Sequence, residues 1–260
     1  MLLTGGIAAF GLLRRLARTF ASKNGAESVG VVFDLDGVIY RNSPAGAVVI
    51  PGTFSPFSLS EYPYTVHVIA GVPDAIQRLH ASKIPFAFMT NGTGYTEAEK
   101  AKKISSLIGL PVNPENVVTC TTPFRRLTEK YSKSRVLVVG GSETIRIARE
   151  YGFVDCIGLR EYVASRRQLV PHLSAQNASD NGTSRSTQLD GRKISAIFVF
   201  NEPDDWHIGL QVMCDVLASD GEPCEELGGH ASLTQVVDLY FSNPDFTYPT
   251  SHSGEYFLWV

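Results

Sequence analysis

Val31-Val32-Phe33 is a short apolar run that stops at Asp34-Leu35-Asp36-Gly37-Val38. An apolar run ending in acids and a glycine reads as a buried parallel strand followed by a turn. Similar runs at 84–89, 117–119, 135–140, 194–200 and 236–241 predict five more strands. Between them, helical periodicity predicts helices over 74–80, 97–108, 143–151 and 206–217. Thr96 and Glu99 form a capping box ahead of an Ala101, Ile104, Leu107, Ile108 stripe, which Gly109 and Pro111 close. Ile208, Val212 and Val216 supply the inward stripe of the last helix. Strands interleaved with helices in this way predict a parallel α/β architecture.

Two stretches break the pattern. Residues 42–70 are rich in Pro, Ser and aromatics without a clear period, and read as an atypically long loop. Residues 174–192 are polar and read as a mobile surface loop open to proteolysis. The Gly140-Gly141-Ser142 turn lacks a full dinucleotide-binding fingerprint and reads as a structural turn, which argues against a nucleotide-dependent oxidoreductase.

Residues 1–24 contain no acid but carry Arg14, Arg15, Arg18 and Lys23. On a helix, Phe10, Leu13, Leu16, Ala17 and Phe20 fall opposite the arginines. That combination reads as a mitochondrial presequence over 1–23, with processing after Phe20 and a matrix destination. The apolar run stops at Arg14, too short for a membrane span. The net charge of −3 argues against a nucleic-acid partner. Cys120, Cys156, Cys214 and Cys224 show no metal-ligand spacing, and read as reduced, mostly buried thiols.

The candidate chemistry lies in Asp34 and Asp36. Adjacent carboxylates at the carboxyl end of a parallel strand repel each other and call for a hard cation, with magnesium the natural one. One can then serve as nucleophile and the other as proton donor and acceptor. The competing readings are a tight Asp-Gly turn and a calcium loop, the latter lacking an oxygen ligand at Val38. Thr90-Asn91-Gly92 ends the next strong strand. If the two strands are neighbours, hydroxyl, amide and acids share one sheet edge, a setting suited to holding a phosphoryl group.

Phe33 to Val38 and Phe88 to Gly92 resemble the first two motifs of the haloacid dehalogenase (HAD) superfamily, most nearly its NagD-like subclass IIA and its mitochondrial members. Weaker similarity runs through 135–140, 197–203 and 241–245. The resemblance implies a Rossmann-like core over 24–119, an inserted α/β cap over 120–245 and an atypical tail over 246–260. It implies Asp34 as nucleophile and Asp36 as acid and base, with Thr90, Asn91 and Gly92 binding the phosphoryl group and Asp34 and Asp36 holding Mg2+. The implied partner is a small phosphorylated metabolite, with a link to mitochondrial glycerophospholipid metabolism. The family's downstream Gly-Lys-Pro lysine and its Gly-Asp-x-x-x-x-Asp run do not occur between Asp245 and Val260. Lys193, Asp204 and Asp205 align with the cap and read as surface residues instead. The expectation is a truncated or imperfectly spliced product with a core sheet incomplete at its C-terminal end and weak or absent turnover. The alternative is a catalytically inactive binding or scaffold protein. Substrate identity and oligomeric state are not encoded in these patterns.

Overall fold

The structure is a computed structural model that describes residues 30–44, 64–165, 192–222, 235–243, 247–249 and 256–258. The presequence reading and most of the polar 174–192 loop lie outside the described residues, as does Cys224. Two compact units divide the described chain at Pro123/Phe124, and 247–249 and 256–258 belong with the first.

In the first unit, β1 (Val31–Asp34) pairs in parallel with β4 (Phe86–Thr90), which pairs in parallel with β5 (Val117–Thr119). Helices α1 (Val72–Ala81) and α2 (Glu97–Ile108) pack with them. The core gathers Leu35, Ile39, Ile76, Phe88, Ile104 and Ile108. The expectation that β1 is buried throughout is corrected: Val32 is 47% exposed. Among the described residues β1 lies at the sheet edge, and the apolar burial shifts to the turn residues Leu35 and Ile39.

The structureless reading of 42–70 also needs correction. Its two ends form β2 (Tyr40–Pro44) and β3 (Tyr64–Val68), an antiparallel pair with Tyr40 opposite Val68. Each arm is too short to show a period alone. Pairing across a long intervening segment supplies the hydrogen bonds that isolated arms lack. The tail likewise holds two unpredicted strands, β10 (Thr247–Pro249) and β11 (Tyr256–Leu258), paired antiparallel.

The second unit is a four-stranded parallel sheet. Its strands are β6 (Arg135–Val139), β7 (Cys156–Gly158), β8 (Ile194–Val199) and β9 (Asp238–Phe241), ordered β7-β6-β8-β9. Burial on both faces explains the continuous apolar runs. Leu137, Val139, Ile197 and Val199 face a cluster completed by α4 (Leu159–Ala164) and α5 (Trp206–Ala218). Val136, Val138, Ala196 and Phe198 face one completed by α3 (Thr144–Tyr151) and the aromatic rings of Phe124, Tyr131 and Phe153. Strand β7 and helix α4 have no counterpart in the sequence reading, because three and six residues carry too little periodicity. The α/β class with parallel sheets stands, divided between two sheets.

Local chemistry sets the ends of α2. Thr96 Oγ1 accepts from the Glu99 N–H at 3.3 Å, and Glu99 Oε2 accepts from the Thr96 N–H at 2.8 Å. Thr96→Ala is expected to cost about 1 kcal/mol in urea unfolding, the usual worth of such a cap. An unchanged midpoint would show that packing alone holds the helix start.

The thiol expectation is corrected in part: Cys156 is buried, Cys120 intermediate and Cys214 exposed, and none of the three is in a disulfide. Lys193 and Asp204 make the surface pairs Lys193–Glu222 and Arg160–Asp204, and Asp205 caps α5 through the His207 N–H. The Gly140-Gly141 turn is fastened by the Asn201 side chain, whose Oδ1 accepts from the Gly141 N–H at 2.8 Å. No helix among the described residues is long and apolar enough to cross a membrane.

Candidate active site

Parallel pairing decides which side chains meet. Asp34 ends β1 in register with Met89, so Thr90 at the end of β4 emerges one step beyond it on the same carboxyl edge. The chain then turns: Ile39 N–H donates to Leu35 O at 2.9 Å and Gly37 N–H to Tyr40 O at 2.8 Å. Gly37 takes φ +83°, a left-handed conformation that favours glycine.

Asp36 and Thr90 come together. Thr90 Oγ1, 2% exposed as a residue, donates a long hydrogen bond of 3.4 Å to Asp36 Oδ2. The same hydroxyl accepts from the Gly92 N–H at 2.9 Å, which aims it. Asp34 lies within electrostatic reach of Asp36. Asn91 follows β4 directly and is exposed. Partial burial pushes the Asp34 carboxyl above its usual range; the Leu35 N–H pulls it back down, and the Asp36 charge adds to the rise.

A raised carboxyl binds its proton more tightly folded than unfolded, so its contribution is present below the unfolded value of 3.8 and lost as pH rises through the folded one. Ionised Asp34 therefore costs stability at neutral pH. In metal-free buffer, Asp34→Asn is expected to raise the thermal midpoint at pH 7, with the gain vanishing below pH 3.8. A midpoint lowered at pH 7 would contradict this.

Two further residues join the site. Tyr40, 2% exposed, has its phenol pushed up by burial and then by the charges of Asp36 and Asp34. Lys100, 4% exposed, is pulled down by burial and pulled back up by Asp36. Its ammonium lies 5.1 Å from the Tyr95 ring centroid, while Lys103 Nζ lies 5.3 Å from Tyr95 and 5.7 Å from Tyr40. A signal for Lys100 existed: it stands four residues before Ile104 and eight before Ile108, in line with the buried stripe. A basic residue on an apolar line needs a counter-charge or a ligand. Nothing local marks Tyr40.

No group of three His, Cys, Asp or Glu among the described residues is placed to hold a metal. Two carboxylates beside a hydroxyl still suit magnesium, which is commonly held by one or two carboxylates with water and substrate phosphate filling its shell. The mutual repulsion that helps raise Asp34 is the feature that a divalent cation would relieve.

The family of haloacid dehalogenase-like hydrolases matches residues 31–154, a stretch that includes Asp34, Asp36, Thr90 and Asn91. Over that stretch, a little under half of its length, the chain is similar to the haloacid dehalogenase-like hydrolases. It is similar to the mitochondrial hydrolase YKR070W of Saccharomyces cerevisiae, 29% identical over 221 residues, or 85% of this chain and 56% of that protein. It is also similar to a cardiolipin synthase (CMP-forming) / mitochondrial hydrolase fusion protein of Schizosaccharomyces pombe, 28% identical over 178 residues, or 67% of this chain and 29% of that protein. The chain thus spans about half the length of the first relative and under a third of the second. Among solved structures, protein PH1952 of Pyrococcus horikoshii OT3 aligns with a TM-score of 0.48 and 18% identity, over 86% of this chain and 61% of that one.

Proposed function

We propose that this chain carries the nucleophilic half-site of a magnesium-dependent phosphatase acting on a small phosphorylated metabolite. The observation that carries the reading is the meeting of Asp36 Oδ2 and Thr90 Oγ1 at the edge where Asp34 ends β1. A carboxylate oxygen of Asp34 attacks phosphorus while the ester P–O bond breaks, and Asp36 gives its proton to the leaving oxygen. Water then attacks the aspartyl-phosphate, Asp36 takes its proton, and inorganic phosphate leaves with Asp34 restored. Thr90, Asn91 and Gly92 hold the phosphoryl oxygens. Asp34 and Asp36 would hold the metal, which supplies charge neutralisation between carboxylates and phosphate.

The two units are assigned as core (24–119) and cap (120–245). The names of the two yeast relatives support a mitochondrial location, and the acid-free, Arg-bearing start supports the matrix as the compartment. The fusion to a cardiolipin synthase in one of them supports a substrate from glycerophospholipid metabolism. The test is phosphate release from a panel of glycerol and lipid-headgroup phosphates, with magnesium and with EDTA. Magnesium-dependent release supports the reading. Ligand binding without hydrolysis, indifferent to magnesium and to Asp34→Asn, would replace it with the binding or scaffold alternative.

A further inference from the structure

The amino edge of the first unit's sheet, at the other end of β4 from Thr90, holds a cavity of about 400 Å³. Its walls come from the turn after α1, the start of β4 and the segment leading into β5. Phe86 and Val112 give it an apolar side, and both pack against the core around Phe88. His80, Lys83, Asn113 and Asn116 give it a polar side, and among the described residues no carboxylate lines it. A volume of this order matches small-molecule sites, where apolar walls carry a few placed polar groups. One ammonium answers one negative charge, so a monoanion fits this wall better than a phosphoryl dianion. We propose that the cavity binds a small organic carboxylate, its charged end on Lys83 and His80 and its apolar body against Phe86 and Val112.

Two features of the local chain favour a binding site over an incidental hollow. Helix α1 ends in a left-handed cap, in which the Ile84 N–H donates to Leu79 O and the Lys83 N–H to His80 O, both at 3.0 Å. Lys83 takes φ +55° there, where glycine is the usual occupant because a Cβ is strained. Strain kept at one residue of a cavity wall points to a use for its side chain. The second feature is Asn113. Its Oδ1 accepts from the Glu115 N–H at 3.0 Å, which fixes the carboxamide and leaves its Nδ2 hydrogens for a further acceptor. The His80 imidazole carries an N–H donor in either protonation state. Donors held in place beforehand lose little freedom when an anion arrives. From Phe86 to Thr90, β4 rises about 13 Å. An anion seated at the amino edge is therefore distinct from the phosphoryl group, and its site does not rest on the phosphatase reading.

The test titrates sodium hexanoate into the full chain in EDTA and follows the backbone amides by NMR. Saturable shifts are expected within 80–86 and 111–116. Lys83→Gly is the deciding variant, because glycine suits φ +55° and the fold is kept or stabilised. It should weaken hexanoate about tenfold or more, the scale of one hydrogen bond to a charged group. 1-Hexanol, which lacks the charge, and acetate, which lacks the apolar body, should each bind about tenfold more weakly or worse. Asp34→Asn should leave the hexanoate affinity unchanged. Hexanoate held as tightly by the Lys83→Gly protein as by the parent would overturn the proposal, as would hexanol held as tightly as hexanoate. Acetate bound as well as hexanoate would reduce the site to an adventitious ion only and overturn it too. So would the absence of shifts within 80–86 and 111–116, or an affinity that moves with Asp34→Asn. None of these outcomes touches the phosphatase reading, which phosphate release decides.

Discussion

Asp34→Asn is expected to lower phosphate-ester turnover by on the order of 10⁴-fold or more, the scale seen when a nucleophile is removed. The amide oxygen that replaces the carboxylate carries no charge and cannot form the acyl phosphate. Neighbouring groups do not compensate, because Asp36 is turned toward Thr90 by the 3.4 Å contact. Asp36→Asn is expected to fall less far, by roughly 10²–10⁴-fold, the range for a positioned acid and base. The two substitutions also differ in a second way. An activated aryl ester with a good leaving group needs little protonation, so it should rescue the Asp36 variant's first step and leave the Asp34 variant silent. The measurement is kcat for alkyl and aryl phosphates with saturating magnesium. Parent-level turnover in the Asp34 variant would remove the nucleophile assignment.

Phe198→Ala is expected to destabilise the second unit by about 3–5 kcal/mol, the usual cost of deleting a buried ring. Phe198 is fully buried in the middle strand pair of the four-stranded sheet. Its ring meets Phe124, Tyr131, Phe153 and Tyr240 at centroid distances of 5.1, 5.5, 4.7 and 4.9 Å. Edge-on and stacked contacts of this kind add to the area term, and four of them around one ring leave little room to collapse into the cavity. The loss should appear as a thermal midpoint lower by roughly 10 °C. Phe198→Leu should cost less, because it leaves a smaller void. A loss below about 1 kcal/mol in Phe198→Ala would mean that the aromatic face repacks.

Much of this was legible locally. The α2 boundaries follow from a capping box and a closing glycine, both of which act within one helical turn. Residues 117–119 and 135–139 announce themselves as short β-branched runs because both sheet faces are covered. Asp34, Asp36 and Thr90 stand out as candidates for the same reason: each polar residue interrupts an apolar run at a strand end.

What the sequence by itself determined is therefore short-range: the parallel α/β class, most helices and strands, and the polar residues that end β1 and β4. Tertiary structure alone decided the rest. It split the parallel strands between two sheets, paired 40–44 with 64–68, and set Lys100 of α2 beside Gly92 at the end of β4. Those outcomes depend on contacts between segments far apart in the chain, where no single window of sequence contains both partners and only the packing of the sheet edge against its helix chooses which side chains meet.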